Sequence, residues 1–195
     1  MTRFEPTSAN TIEFWRRMQQ SFGTRVVQKP DSPLMKAAGH GLQLIRIMTY
    51  DVFMKQYTTV IHNTIYPWFT VGDGDPDHLW RQIEVCIHEH QHVVQFRRMG
   101  MPLYALAYGG STRKRALLEA EAYCCNLEMR HWRTGEFIPT QGLADLLYSY
   151  GCNAADVEAA REVYEACHMR LQAEEYRAEA TLLGIQILSE LNESC

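Results

Sequence analysis

Residues 77–98 form a stretch without glycine or proline, and no other feature constrains the fold of this chain more strongly. Asp75 and Pro76 precede it as an N-cap followed by a proline at the first helical position, which is a typical helix start. Gly100 and Pro102 follow it as a typical stop. These start and stop signals therefore predict one long α-helix.

The middle of this predicted helix carries the run HEHQH at residues 88–92, which satisfies the pattern H-E-x-x-H. Each helical residue turns by about 100°, so His88 and His92 would share one face and could bind one zinc ion. Glu89 would lie beside that ion, where a carboxylate can take a proton from an attacking water. The pattern predicts a zinc site with a glutamate as general base.

A strand is the competing interpretation of the same run. In a strand, His88, His90 and His92 would point to one side and form a three-histidine site for iron or another metal. The polar Glu89 and Gln91 would then share the second face, which would have little to bury. We therefore favour the helix.

The helical geometry also predicts where the side chains of His90 and Gln95 point. His90 points away from the ligand face and is expected to be a surface or hydrogen-bonded histidine. Gln95 returns close to that face, where it could orient a ligand or make a plain polar contact.

A catalytic zinc ion usually has three protein ligands and keeps a fourth position for water, so a further ligand is needed. Residues 113–132 are rich in Ala, Leu, Glu and Arg and predict a second helix, capped by Ser111 or Thr112. This helix offers Glu119 and Glu121. They face about 200° from one another, so only one of them can meet the ion.

These pieces resemble the gluzincins, the thermolysin-like branch of the zincin metallopeptidases, which pair H-E-x-x-H with a glutamate on a following helix. The resemblance covers about residues 56–133. Residues 58–67 look like the strand pair that precedes the active-site helix, and residues 88–95 match that helix. Residues 118–123 are similar to the E-x-x-A-D or E-x-E-A stretch that supplies the third ligand.

The resemblance implies that Glu119 is the third ligand, with Glu121 as the alternative. Tyr123 stands one turn after Glu119, where many relatives carry an acid that helps to orient the histidines. This chain departs from the family there, because Tyr123 offers only a phenol. The zinc ligands that the resemblance implies are His88, His92 and Glu119.

Other side chains are candidates for a substrate cleft or for oxyanion stabilisation. The resemblance implies an edge strand beside the metal that pairs with an extended peptide, and residues 64–69 are the candidate because Pro67 suits an edge. Its aromatic side chains would line a cleft or form an ordinary core cluster; they are Tyr66, Trp68 and Phe69. The candidates for stabilising an oxyanion are Tyr104, Tyr108, Arg113 and His131.

The remaining pattern predicts a helix-rich α+β fold, with a small sheet ahead of the H-E-x-x-H helix and a helical C-terminal part. The resemblance implies that this fold is of zincin-like type. Further helices are expected at residues 11–21, 140–150 and 153–192. Strands are expected at residues 42–50 and in a hairpin of residues 56–62 and 64–69 around Asn63.

Composition bounds the class of protein. With 195 residues, of which 46% are hydrophobic, we expect a single domain across residues 1–195, with a core at about 40–134 and a helical part at about 139–193. The net charge of -4 and the short basic patches predict no nucleic-acid partner. We expect a cytoplasmic protein with free thiols and no membrane partner, because the sequence shows no signal peptide, no long apolar run and no C-x-x-C spacing among its six cysteines.

Two hypotheses follow. The first is a zinc-dependent peptidase that acts on peptide or protein substrates. The second is a catalytically inactive, zincin-like binding module with a structural or vestigial metal site, whose C-terminal helices dock on a larger assembly. Tyr123 in the place of an acid and the long helical tail motivate the second hypothesis.

Overall fold

The structure is a computed structural model that describes residues 4–44 and 49–193. It divides into two compact units, Pro6–Val85 and Met1–Glu5 with Cys86–Cys195. The expectation of a single domain across the chain stays a prediction.

The first unit combines helices with a small sheet. Its elements are α1 (Ser8–Phe22), β1 (Arg25–Val26), a short 3-10 helix (Lys29–Asp31), α2 (Pro33–Leu44), α3 (Tyr50–Gln56), β2 (Thr59–Ile61), β3 (Thr64–Tyr66) and the beginning of α4 (Pro76–Met99). The strands form one sheet in the order β1-β3-β2, in which β3 is parallel to β1 and antiparallel to β2.

Local capping explains where α1 begins. The Thr7 side chain accepts a hydrogen bond from the Asn10 backbone N–H, and the Asn10 side chain accepts one from the Thr7 backbone, which forms a capping box. Gly23 ends the helix at φ 53°, a left-handed conformation that glycine adopts at little cost. The predicted helix at residues 11–21 is confirmed.

The predicted strand at residues 42–50 is wrong within the described residues. Residues 42–44 complete α2, and Tyr50 begins α3, while residues 45–48 lie outside the described part of the chain. Thr49 caps α3 by accepting a hydrogen bond from the Val52 backbone N–H. The backbone of Gly39 also approaches the Tyr50 ring closely, which packs α2 against α3. Tertiary packing of helices therefore overrode the local apolar alternation.

The predicted hairpin around Asn63 is confirmed, with shorter strands that pair Val60 with Ile65. The predicted edge position of its second strand is wrong, because β3 is the central strand. The Val27 N–H donates to the Ile65 carbonyl and the Arg25 N–H to the Asn63 carbonyl, which occupies the side of β3 that faces away from β2.

The aromatic side chains of residues 64–69 lie among other side chains of the same unit. Tyr66 is buried in a cluster with Met35, Phe53 and Met54. The Phe69 ring makes an edge contact with Trp15, at 6.0 Å between centroids. The Trp68 ring contacts the Phe69 ring in the same edge geometry. These contacts are those of an ordinary core cluster.

The second unit is helical. Its elements are the rest of α4, α5 (Met101–Gly110), α6 (Thr112–Thr134), α7 (Thr140–Leu146), a 3-10 helix (Leu147–Tyr150), α8 (Ala154–Gln172) and α9 (Glu179–Glu193). Its core packs α6 against α8, with Leu127, Tyr164 and Leu171 among the fully buried side chains.

The two helices predicted to carry the site are confirmed as α4 and α6. The Asp75 side chain accepts a hydrogen bond from the His78 backbone N–H at 2.8 Å at the start of α4. The Ser111 side chain caps α6 in the same way, through the Lys114 backbone N–H. Both helices begin where the capping signals predict.

Two other stretches of this unit differ from the sequence prediction. The stretch after Gly100 is the helix α5 rather than a loop, and Pro102 lies in its first turn, where proline costs no hydrogen bond. The predicted tail at residues 153–192 is two helices, because the chain turns at Glu174 with φ 55°. The helix predicted at residues 140–150 is confirmed, with its last turn of the 3-10 type.

The described structure confirms the helix-rich α+β class with a small sheet. Among the described residues, no helix is both long and apolar enough to cross a bilayer. The five described cysteines are buried and free of disulfides; they are Cys86, Cys124, Cys125, Cys152 and Cys167.

Candidate metal centre

Helices α4 and α6 bring together the three ligands that the sequence predicts. His88 and His92 lie on consecutive turns of α4, and Glu119 lies on α6. Their ligand atoms all lie within 4.8 Å of one another, and all three side chains are buried. This group could hold a metal ion.

The distances within the group suit a small tetrahedral ion. The Nε2 atoms of His88 and His92 are 3.2 Å apart. Glu119 Oε2 lies 3.5 Å from His88 Nε2, and Glu119 Oε1 lies 3.6 Å from His92 Nε2. Two nitrogens bound to tetrahedral zinc at about 2.0–2.1 Å would be about 3.3 Å apart. The ligand atoms therefore surround a space of the right size.

Two amide side chains set the orientation of the imidazoles. Gln95 Nε2 donates to the Leu118 carbonyl at 2.8 Å, which leaves Gln95 Oε1 to accept from His92 Nδ1 at 2.9 Å. Asn126 Oδ1 lies 3.1 Å from His88 Nδ1 and accepts from it in the same way. Because each Nδ1 donates a hydrogen bond, each Nε2 is available to a metal.

The carboxylate of Glu119 is held by a phenol. The Tyr108 hydroxyl donates to Glu119 Oε1 at 2.6 Å, while Glu119 Oε2 is buried and has no hydrogen-bond partner among the described residues. A buried carboxylate oxygen without a partner costs free energy, and a bound cation would remove that cost. The donor set and the bare oxygen both fit a metal ion.

His92 and Glu119 each stabilise the charged form of the other. Burial opposes the protonation of His92, but the negative charge of the nearby Glu119 outweighs it and raises the pKa of His92 to about 9. Burial would raise the pKa of Glu119, but the positive charge of His92 and the nearness of both imidazoles lower it below its ordinary value. Without a metal, His92 and Glu119 form a buried ion pair, so a metal must displace a proton from His92.

Glu89 follows His88 on α4 and is 7% exposed. Its negative charge contributes to the raised pKa of His92, which lies three residues further along the same helix. Its carboxylate therefore acts electrostatically on the metal-ligand group.

His90 and Glu121 lie outside the ligand group. Burial lowers the pKa of His90 to about 4, so its ring is neutral, and its Nδ1 lies 2.6 Å from the Cys86 carbonyl oxygen. The expectation of a hydrogen-bonded His90 is confirmed, and the three-histidine strand is wrong because residues 88–92 are helical. Glu121 pairs instead with Arg98 at 2.8 Å and accepts from Gln91 at 2.9 Å.

Of the four candidates for oxyanion stabilisation, two lie beside the ligand group and two make contacts elsewhere or are exposed. Tyr104 and Tyr108 stack on one another in α5, and the Tyr104 hydroxyl lies 3.3 Å from His92 Nδ1. His131 Nδ1 instead lies 2.9 Å from the Tyr176 hydroxyl, and Arg113 is exposed. Only the two tyrosines contact the ligand group.

Sequence reasoning missed Asn126, although its spacing offers a signal. Asn126 lies seven residues after Glu119, which is about two helical turns and returns it to the same face of α6. Tyr123, also on that face, packs its ring against His88 at 4.7 Å between centroids and brings its hydroxyl to 3.4 Å from that of Tyr150. An amide from Asn126 thus orients His88, while Tyr123 provides an aromatic contact.

No protein-family model, curated protein or solved structure matches this chain. The resemblance to gluzincins rests on the motif and its spacing.

Proposed function

We propose that this chain is a zinc-dependent peptidase that hydrolyses bonds in peptide or protein substrates. The convergence of His88, His92 and Glu119 around one buried space carries the proposal. Two imidazoles and a carboxylate are a ligand set of catalytic zinc sites, and they leave a fourth coordination position open. Calcium and magnesium prefer oxygen ligands alone, so this donor set favours a transition metal such as zinc.

The surrounding residues have complementary roles in such a reaction. A bound zinc ion would supply Lewis acidity, which makes water a nucleophile near neutral pH. Glu89 accepts the proton of the attacking water and passes it to the leaving amine. Gln95 and Asn126 hold the two imidazoles in position through their Nδ1 atoms.

Replacement of Glu89 by Gln tests the general base. We expect Glu89→Gln to keep about one zinc per chain but to lower hydrolysis of an unstructured protein such as casein by about 10²–10⁴-fold, because an amide cannot accept the proton. Glu121→Gln is the matched control and should keep both zinc and activity. Full casein cleavage by Glu89→Gln would refute the role of Glu89.

Metal analysis tests the ligands. His92→Ala and Glu119→Ala should purify without zinc, because each loses one of three protein ligands, whereas Glu121→Ala should keep it. Elemental analysis beside wild type provides the measurement. If the Glu121 variant lost zinc and the Glu119 variant kept it, the third ligand would be Glu121 rather than Glu119.

The second candidate, a binding module with a structural metal, is favoured by the burial of the group. His88, His92 and Glu119 are 8%, 6% and 1% exposed, which leaves little surface for a substrate in this conformation. Stoichiometric zinc without cleavage of casein or of other unstructured proteins would support this candidate over the peptidase.

A further inference from the structure

The two carboxylate oxygens of Glu119 have different surroundings. Oε1 accepts the Tyr108 hydroxyl at 2.6 Å, which is the short distance expected of a hydrogen bond to a charged acceptor. Oε2 is buried and has no hydrogen-bond partner among the described residues, and it lies 3.5 Å from His88 Nε2. Both oxygens face the ligand nitrogens, because Oε1 lies 3.6 Å from His92 Nε2, and Oε2 is the one left without a donor.

Tyr108 is held firmly enough to maintain this difference. Its ring stacks on the Tyr104 ring at 5.8 Å, with an interplanar angle of 18°. The Arg115 Nε donates to the Tyr108 carbonyl at 2.8 Å, and the Arg115 guanidinium lies 5.6 Å from the centre of the Tyr108 ring. A side chain fixed on both sides can hold its hydroxyl in one place.

We propose that Tyr108 is a positioning residue that makes Glu119 a metal ligand through one oxygen. Its hydroxyl occupies Oε1 and leaves Oε2 for the ion, an inference that rests on the metal site of the proposed function. A carboxylate bound through both oxygens would occupy an additional coordination position, the one that substrate chemistry needs open. Tyr108 thus acts through Glu119, whose Oε1 it binds.

Cobalt(II) is a suitable probe because its visible absorption is stronger in a four-coordinate site than in a five-coordinate one. Wild type loaded with cobalt should show the strong absorption. Tyr108→Phe removes only the hydroxyl, so Glu119 becomes free to bind through both oxygens. We expect a weaker cobalt absorption and a zinc affinity lower by about 10–100-fold, as is typical when a hydrogen bond to a ligand is lost.

Tyr164→Phe is the matched control. Tyr164 is fully buried in the core between α6 and α8, and its hydroxyl has no hydrogen-bond partner among the described residues. This variant should keep the wild-type cobalt spectrum and zinc affinity. A Tyr108→Phe protein with wild-type helix content, spectrum and affinity would overturn the proposal.

A measurement on the wild type covers the case in which Tyr108→Phe does not fold. X-ray absorption of the zinc-loaded protein should find about four nitrogen or oxygen neighbours, which is the number for a one-oxygen glutamate. A count of about five, with both Glu119 oxygens at bonding distance, would contradict the proposal. If wild type binds neither zinc nor cobalt, the proposed function itself fails, which is distinct from metal binding that is insensitive to Tyr108.

Discussion

At the scale of residues, amide side chains decide which nitrogen of each histidine faces the ligand group. Gln95 and Asn126 accept hydrogen bonds at the Nδ1 atoms of His92 and His88, so both Nε2 atoms face Glu119. Partners of this kind are typically worth about 10–100-fold in metal affinity. Neutral groups thus orient both imidazoles.

The raised pKa of His92 predicts that metal affinity depends on pH. Without metal, Glu119 keeps His92 protonated up to about pH 9, and a metal must displace that proton. Zinc affinity should fall by about tenfold for each pH unit below about 9. Titration against a chromophoric chelator at several pH values measures the zinc affinity. His131→Asn, which changes a histidine bonded to Tyr176, should leave the slope unchanged, and a flat profile in wild type would contradict the prediction.

The same shift affects the stability of the metal-free protein. The pKa of His92 is raised from 6.5 in the unfolded chain to about 9 in the folded protein. The stabilisation from its ion pair with Glu119 is therefore lost as the pH rises from about 6.5 through about 9. Because folding lowers the pKa of Glu119 from 4.5, the stabilisation is also lost as the pH falls below about 4.5.

At the scale of elements, α5 connects the two ligand helices and also supports their ligands. Tyr104 and Tyr108, four residues apart on one face, contact His92 and Glu119. The opposite face exposes the apolar side chain of Leu106. A short helix between α4 and α6 therefore supplies the phenols that contact His92 and Glu119.

The start of α4 offers a test of helix capping. Asp75→Ala removes the acceptor of the His78 N–H and should lower the free energy of unfolding by about 1 kcal/mol. Asp75→Asn retains an acceptor and should cost much less. Urea denaturation measures both, and equal stability of the alanine variant and wild type would show that the cap contributes little.

At the scale of the molecule, the helical unit depends on the core between α6 and α8. Leu127, Leu147, Tyr164 and Leu171 are almost completely buried there. α6 contributes Glu119 to the ligand group and Leu127 to this core, so the same packing that stabilises the unit also determines where the carboxylate lies.

Two adjacent leucines provide a matched test of this core. Leu147 is fully buried in it, whereas Leu146 is 46% exposed. Leu147→Ala should lower the free energy of unfolding by about 2–5 kcal/mol, because it removes buried apolar surface and leaves a cavity. Leu146→Ala should change it by less than about 0.5 kcal/mol. Similar losses in the two variants, measured by denaturant unfolding, would contradict this description of the core.

The prediction from sequence succeeded where signals are local. Asp75 and Ser111 mark the starts of α4 and α6 because a cap acts over three or four residues. The structure of residues 42–44 and the helix α5 were not predicted, because their conformation depends on contacts that are distant in the sequence. The apolar pattern at residues 42–44 suits a strand or a helix, and packing against α3 selects the helix. Gly100 marks the end of α4, but this signal does not tell whether a loop or another helix follows, so α5 was not predicted.

The sequence by itself determined that His88 and His92 share one face with Glu89 beside them, because the turn of a helix is the same wherever it occurs. Only the tertiary structure decided between Glu119 and Glu121 as the side chain that meets the histidines. It also decided that Asn126 and Tyr108 would orient the ligands. Those contacts join different helices, and their geometry depends on how α4, α5 and α6 pack, which no local spacing specifies.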